Sequence, residues 1–130
     1  MTTMITTHSR EPRYQLQFTN GTQAADADAP SIKGGRGGGF GPHELLEASL
    51  ATCINMWIRM QADLMGISVG PIAVTVNLRR DNPEAAFYEY TVKLDDALSE
   101  EQRSKLLQAA DNCPVRRTLC KKPFFTRRDP

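Results

Sequence analysis

The 130 residues suffice for one domain with a real core, and 16 basic against 15 acidic side chains leave a formal charge of +1, so no global charge argument points to nucleic acid. No apolar run is long enough to span a membrane, and residues 1–7 lack the basic region and sustained apolar stretch of a secretory signal. The expectation is a cytoplasmic, reducing location, in which the 3 cysteines read as reactive or core thiols and not as a disulfide framework. Cys53, Cys113 and Cys120 show no C-x-x-C spacing, and His8 and His43 form no H-x-x-x-H pair, so neither a metal site nor a cofactor is expected.

Residues 1–12 read as a flexible leader to a single domain over 1–130. Residues 14–18 alternate and predict a strand, ended by Asn20-Gly21. Residues 24–41 are small, polar and glycine-rich, which predicts a loop. The run Gly34-Gly35-Arg36-Gly37-Gly38-Gly39 has the composition of a phosphate cradle. It lacks the G-x-x-x-x-G-K-[ST] order, and no hydrophobic strand feeds it, so nucleotide binding is not expected.

Pro42 opens a helix, as a proline in the first turn can. Leu46, Leu50, Cys53, Trp57, Met60 and Leu64 fall at i+3 and i+4 steps and form one stripe, and Gly66 is a natural stop. The expected helix is about 23 residues, or roughly 35 Å at 1.5 Å rise per residue. So long a helix is central to a small domain. Leu45, Ala48, Ile54, Ile58 and Met65 on its other side predict contact with more than one layer. Residues 72–78 and 87–94 read as two strands, antiparallel because only the turn Asp81-Asn82-Pro83 and a few residues join them. Ser99 caps a second helix, with Gln102 placed to complete a capping box, and Leu106, Leu107 and Ala110 give its apolar side. Asn112-Cys113-Pro114 breaks it, a short helix runs to about Leu119, and residues 123–126 add a final edge strand. This order is an α+β fold.

Two of the cysteines sit where chemistry is possible. Cys113 precedes Pro114, which fits an N-cap followed by the first helical position. Free backbone N–H groups and the helix dipole favour an anion there and predict a lowered thiol pKa. The alternative is an ordinary cap residue. Cys53 lies on an apolar stripe, where cysteine also serves as a small hydrophobe. A reactive Cys53 needs a positive group from elsewhere, because burial alone raises a thiol pKa; Arg10, Arg13 and Arg36 are the upstream candidates. Cys120 reads as a packing residue or a spare resolving thiol. Arg116, Arg117, Lys121, Lys122, Arg127 and Arg128 crowd the C-terminal end, as a solvated tail or a site for an acidic partner.

Gly41-Pro42-His43-Glu44-Leu45-Leu46-Glu47-Ala48 with Ala51-Thr52-Cys53, followed by Cys113-Pro114-Val115 and Leu119, resembles the OsmC/Ohr superfamily of thiol peroxidases, and within it the OsmC-like branch. The resemblance runs from about Gly34 to Leu119. It implies an intertwined homodimer, with two long central helices packed together, antiparallel sheets around them and active sites at the interface. It implies reduction of organic hydroperoxides, with Cys53 as the peroxidatic thiol, Cys113 as the resolving thiol and an external dithiol, often lipoyl-linked, as reductant. The family also uses a glutamate and an arginine near the peroxidatic thiol. In its best-known branches the glutamate stands ten residues before the cysteine, where this chain has His43; Glu44, nine before, matches the OsmC-like spacing. On a straight helix those nine residues are about 13 Å and half a rotation out of phase, so Glu44 is expected to act across a dimer interface; its alternative is a helix-start carboxylate favouring the dipole. Arg13 is the preferred arginine by order along the chain.

Three functions follow as expectations. The first is a two-cysteine hydroperoxide reductase, with Met56, Trp57, Met60 and Phe40 offering an apolar pocket to an alkyl chain. The second is an OsmC-like dimer that holds a small apolar ligand or partner without efficient turnover, favoured by His43 at the glutamate place. The third, nucleic-acid binding by the basic end, has charge alone behind it and is not expected.

Overall fold

A computed structural model describes residues 4–130 of the chain. They form two compact units, the first ending at Leu46 and the second running from Glu47 to Pro130. In the first, strands β1 (Thr6–Ser9), β2 (Leu16–Thr19) and β3 (Ala24–Ala27) make an antiparallel sheet in the order β1-β2-β3. Phe18 lies opposite Thr7 on one side and Ala25 on the other. The β2–β3 connection is built on Asn20, whose Oδ1 accepts from the Thr22 and Gln23 N–H groups at 2.9 and 2.8 Å, and on Gly21 at φ 101°, a value open to glycine without steric cost.

Two expectations fail in this unit. Within the expected leader over 1–12, Thr6–Ser9 is a paired strand; the first three residues lie outside the described residues. Thr6, Thr7 and His8 are weak as an isolated signal, and they become a strand because β2 offers a ladder. The loop over 24–41 opens with β3, whose Ala-Ala-Asp-Ala sequence has little intrinsic strand preference; pairing with β2 overrides it.

The second unit is organised by α1 (Pro42–Met65), which begins at the end of the first. Its 24 residues agree with the length read from the sequence. The buried ridge is Leu50, Ile54, Ile58 and Ala62, a strict i+4 row, and Ile67 closes it beyond Gly66 (φ 70°). This corrects the expected stripe. Leu50 belongs to the ridge, Cys53 and Trp57 flank it half-buried, and Met60 and Leu64 are 54% and 80% exposed.

Strands β4 (Ala73–Arg79) and β5 (Phe87–Lys93) pair antiparallel, with Val74 opposite Val92, Val76 opposite Tyr90 and Leu78 opposite Tyr88. Five of these side chains, all but Leu78, pack against the core, and the six alternate with exposed neighbours, as the two-residue period requires. Three polar side chains of α1 tie it to backbone near this hairpin. Glu47 Oε2 accepts from the Leu78 N–H at 2.7 Å, Asn55 Nδ2 donates to the Ile72 carbonyl at 2.9 Å, and Arg59 donates to the Val69 and Gly70 carbonyls at 2.7 and 3.0 Å. Each satisfies a backbone group that the two-stranded ladder leaves open.

Helix α2 (Glu100–Ala110) carries the expected capping box, with Ser99 Oγ accepting from the Gln102 N–H and the Gln102 side chain accepting from the Ser99 N–H, both at 3.1 Å. It buries Leu106 and Ala110 against the ridge. Helix α3 (Pro114–Leu119) follows with Cys113 as its N-cap. Residues 123–126 form no strand, and Phe124 and Phe125 are 82% and 93% exposed: aromatic residues alone make no strand where no ladder partner is offered. The architecture is α+β with antiparallel sheets, as expected. Among the described residues, no helix is long and apolar enough to cross a membrane.

Candidate active site

Cys53 and Cys113 come together although 60 residues separate them in sequence. Cys53 is placed by α1, one position before Ile54 of the buried ridge, and is half-buried. Cys113 is placed by the break between α2 and α3 and is completely buried in the core cluster. The two thiols are neighbours at the start of α3, where amides of adjacent residues reach one sulfur each.

The start of α3 distributes its free amides between the two sulfurs. Pro114 has no N–H to give, which leaves Val115 and Arg116 as the first donors of the helix. The Arg116 N–H donates to Cys113 Sγ at 3.4 Å, and the Val115 N–H donates to Cys53 Sγ at 3.4 Å. The sequence reading sought a cation for Cys53 among Arg10, Arg13 and Arg36 and missed this amide; the signal was present in Pro114, whose position frees the next N–H.

The sequence also predicted a lowered pKa for Cys113, and this is overturned. Burial pushes the Cys113 thiol up, and its hydrogen bond to Cys53 adds to the rise; the Arg116 amide pulls the other way and loses. The cap geometry was foreseen correctly, but the cap is buried, and desolvation penalises the thiolate more than one amide favours it. Cys113 is therefore held in its thiol form beside Cys53.

Beside Cys53 opens an apolar pocket of about 400 Å³, lined by Cys53, Met56, Trp57, Met60, Pro114 and Val115 among others. Met56, Trp57 and Met60 were expected there; Phe40, also expected, belongs to the first unit. The Arg117 guanidinium lies 5.9 Å from the centre of the Trp57 ring, a cation held near the pocket wall by the ring face. Cys120, at the C-terminal end of α3, is exposed, so its packing role is not realised.

The other two expected site residues lie in the first unit. Glu44 is in the first turn of α1, and its Oε1 accepts from the Gly41 N–H at 2.7 Å. That is a helix-start carboxylate closing back on the residue before the helix. Arg13 is exposed, at φ 30°, with its guanidinium 5.7 Å from the Tyr14 ring centre. Arg10 pairs with Asp26 at 3.4 Å. In the glycine-rich loop, Asp28 is buried, and its Oδ2 accepts from the Arg36 and Gly38 N–H groups, each at 3.1 Å. The Gly38 amide, foremost among these contacts, holds the Asp28 carboxyl below its ordinary pKa. A side chain at residue 39 would meet the Asp26 backbone carbonyl, its oxygen at 2.5 Å, so the loop needs glycine there.

A family model described as OsmC-like protein matches residues 35–126. No curated protein sequence is similar enough to match. Several solved structures share the fold. An OsmC-like protein from Mycoplasma pneumoniae superposes with a TM-score of 0.76 at 20% identity, over 92% of this chain and 87% of that one. An organic hydroperoxide resistance protein from Legionella pneumophila gives 0.67 at 23% identity, over 92% and 90%. The organic hydroperoxide resistance protein OhrB of Bacillus subtilis gives 0.62 at 22% identity, over 92% and 91%.

Proposed function

Since the chain belongs to the OsmC-like protein family, we propose that it is a thiol-dependent peroxidase that reduces organic hydroperoxides, with Cys53 as the peroxidatic thiol and Cys113 as the resolving one. The observation that carries this reading is the placement of both sulfurs on adjacent amides at the start of α3, with Cys53 at the edge of an apolar pocket. The Cys53 thiolate attacks the terminal oxygen of the hydroperoxide. The O–O bond breaks, Cys53 becomes a sulfenic acid, and the alkoxide takes a proton to leave as the alcohol. The Cys113 sulfur then displaces hydroxide from Cys53, its own proton leaves with the hydroxide as water, and a disulfide remains. An external dithiol, of the lipoyl-linked kind that the family resemblance implies, reduces that disulfide by exchange. Met56, Trp57 and Met60 take the alkyl group of the substrate, which is why an organic peroxide suits the pocket better than hydrogen peroxide.

Arg13 and Glu44 enter as the supporting cation and carboxylate that the resemblance assigns, Glu44 acting on the Cys53 of a second copy. The homodimer is part of the same reading. Met56, Met60 and Leu64 on α1 are 59%, 54% and 80% exposed, and a second long helix would remove that apolar row from water. The cytoplasm is the expected location.

A second reading is a dimer that holds a small apolar ligand without efficient turnover. It is favoured by His43 at the glutamate place and by the bond of Glu44 to its own helix start. One experiment separates the two. A small alkyl hydroperoxide is added at near-stoichiometric amount to the reduced protein, and thiols and disulfides are followed by intact mass and peptide mapping. Rapid formation of a Cys53–Cys113 disulfide is expected; both thiols staying reduced would put the ligand-binding reading ahead.

A further inference from the structure

The buried resolving thiol is gripped by residues that no step above uses. Asp111, two residues before Cys113, is the C-terminal cap of α2. Its carboxylate Oδ1 accepts from the Tyr90 hydroxyl, which reaches over from β5. Its main-chain carbonyl accepts from Arg116 Nη1 at 2.7 Å. The backbone N–H of that same Arg116 donates to Cys113 Sγ at 3.4 Å. Asp111 is thus held by the sheet through its side chain and by α3 through its main chain, and Cys113 lies inside the closed stretch from 111 to 116. The turn is short and starts at a helix end, a place where chains ordinarily fray. Two charge-assisted hydrogen bonds at one residue remove that freedom.

Resting on the peroxidase reading, we infer that Tyr90 and Asp111 form a latch that positions the Cys113 sulfur for attack on an oxidised Cys53, so that Tyr90 and Asp111 are positioning residues for disulfide closure and have no part in the oxidation of Cys53. Closure is a displacement at the Cys53 sulfur. The Cys113 sulfur forms the new S–S bond, the S–O bond breaks and the departing hydroxide leaves as water with the Cys113 proton. Such a step needs the attacking sulfur in line with the bond that breaks, and small misplacement of a reacting group is costly in rate. Cys53 oxidation draws on the pocket and the Val115 amide, neither of which touches Tyr90 in the contacts described above. Burial and the Asp111 carboxylate push the Tyr90 phenol up to about 12, so the hydroxyl stays a donor throughout the range in which the thiols work.

The test follows the two steps separately in Tyr90→Phe, which keeps the ring and removes the hydroxyl. Reduced protein is mixed with an alkyl hydroperoxide, quenched at intervals with a dimedone-type sulfenic acid trap and an alkylating agent, and read by mass. Sulfenic acid is expected to form at the parental rate and the disulfide to close about tenfold more slowly, the effect of losing one charge-assisted hydrogen bond. Asp111→Ala should repeat that defect. Asp111→Asn keeps an acceptor for the Tyr90 hydroxyl and should restore most of the rate, which a mere loosening of the fold would not do. Closure in Tyr90→Phe within twofold of the parent, or an equal defect in Asp111→Asn and Asp111→Ala, would overturn the latch while leaving the peroxidase reading intact. A parent protein that forms no disulfide at all overturns that underlying reading, and the latch with it.

Discussion

Cys53 stands on the wall of an open apolar pocket, whereas Cys113, in contact with it, is wholly buried where α2 gives way to α3. The difference teaches how two thiols of the same intrinsic chemistry can hold different tasks. In the proposed reaction Cys53 is the sulfur that meets the hydroperoxide, and it accepts from the Val115 amide. Cys113 is buried beside Cys53, and that burial favours its thiol form. In the proposed reaction a buried, protonated thiol does not compete for peroxide, so oxidation would begin at Cys53.

The largest test of that asymmetry is Cys53→Ser. Peroxide turnover should fall to the protein-free level, with the far-ultraviolet circular dichroism unchanged, because serine fills nearly the same volume on α1. Retained turnover would place the reacting sulfur elsewhere. Cys113→Ser should still consume one equivalent of hydroperoxide. It should stop at a trappable sulfenic acid on Cys53, and mass analysis should find no internal disulfide.

The pH dependence sharpens the comparison further. The Cys113 pKa is raised above its ordinary 9.0, so its reactive thiolate is scarce at neutral pH. Closure of a preformed sulfenic acid should therefore accelerate as pH rises, by about tenfold per unit below the raised value. A rapid-quench pH series that is flat from neutral pH upward would contradict it. The sign for stability is opposite. A group whose pKa is raised in the folded state stabilises the fold below the unfolded pKa. That contribution is lost as pH climbs beyond the ordinary thiol range.

The smallest expected effect is at the far end of α2. Ser99→Ala removes half of the capping box and should lower the unfolding free energy by about 1 kcal/mol, read from a urea midpoint. Closure should stay at the parental rate, since the cap lies a whole helix away from Cys113.

Much of this was legible in the sequence, and the gaps have physical causes. Pro42, Gly66, Ser99 with Gln102, and Cys113 with Pro114 marked helix ends correctly, because capping chemistry is local. The face of α1 was less legible. Apolar residues occupy nearly every side of that helix, and only the contacts of Leu50, Ile54, Ile58 and Ala62 reveal which row faces the core. Strands β1 and β3 were invisible because their residues are exposed or small and are strands only by partnership with β2. The raised pKa of Cys113 could not be read either: the sequence shows that a cap exists, but burial of that cap depends on α2 and β5 packing around it.

The glycine-rich loop has a last consequence. A run with the look of an anion receptor spends its Arg36 and Gly38 amides on the carboxylate of Asp28. In binding terms Asp28 is a tethered occupant, and its effective concentration at those amides far exceeds what a free anion reaches in solution. A phosphate competing for the same donors would have to evict a group that cannot diffuse away, so the loop is self-inhibited as a receptor by its own covalent design.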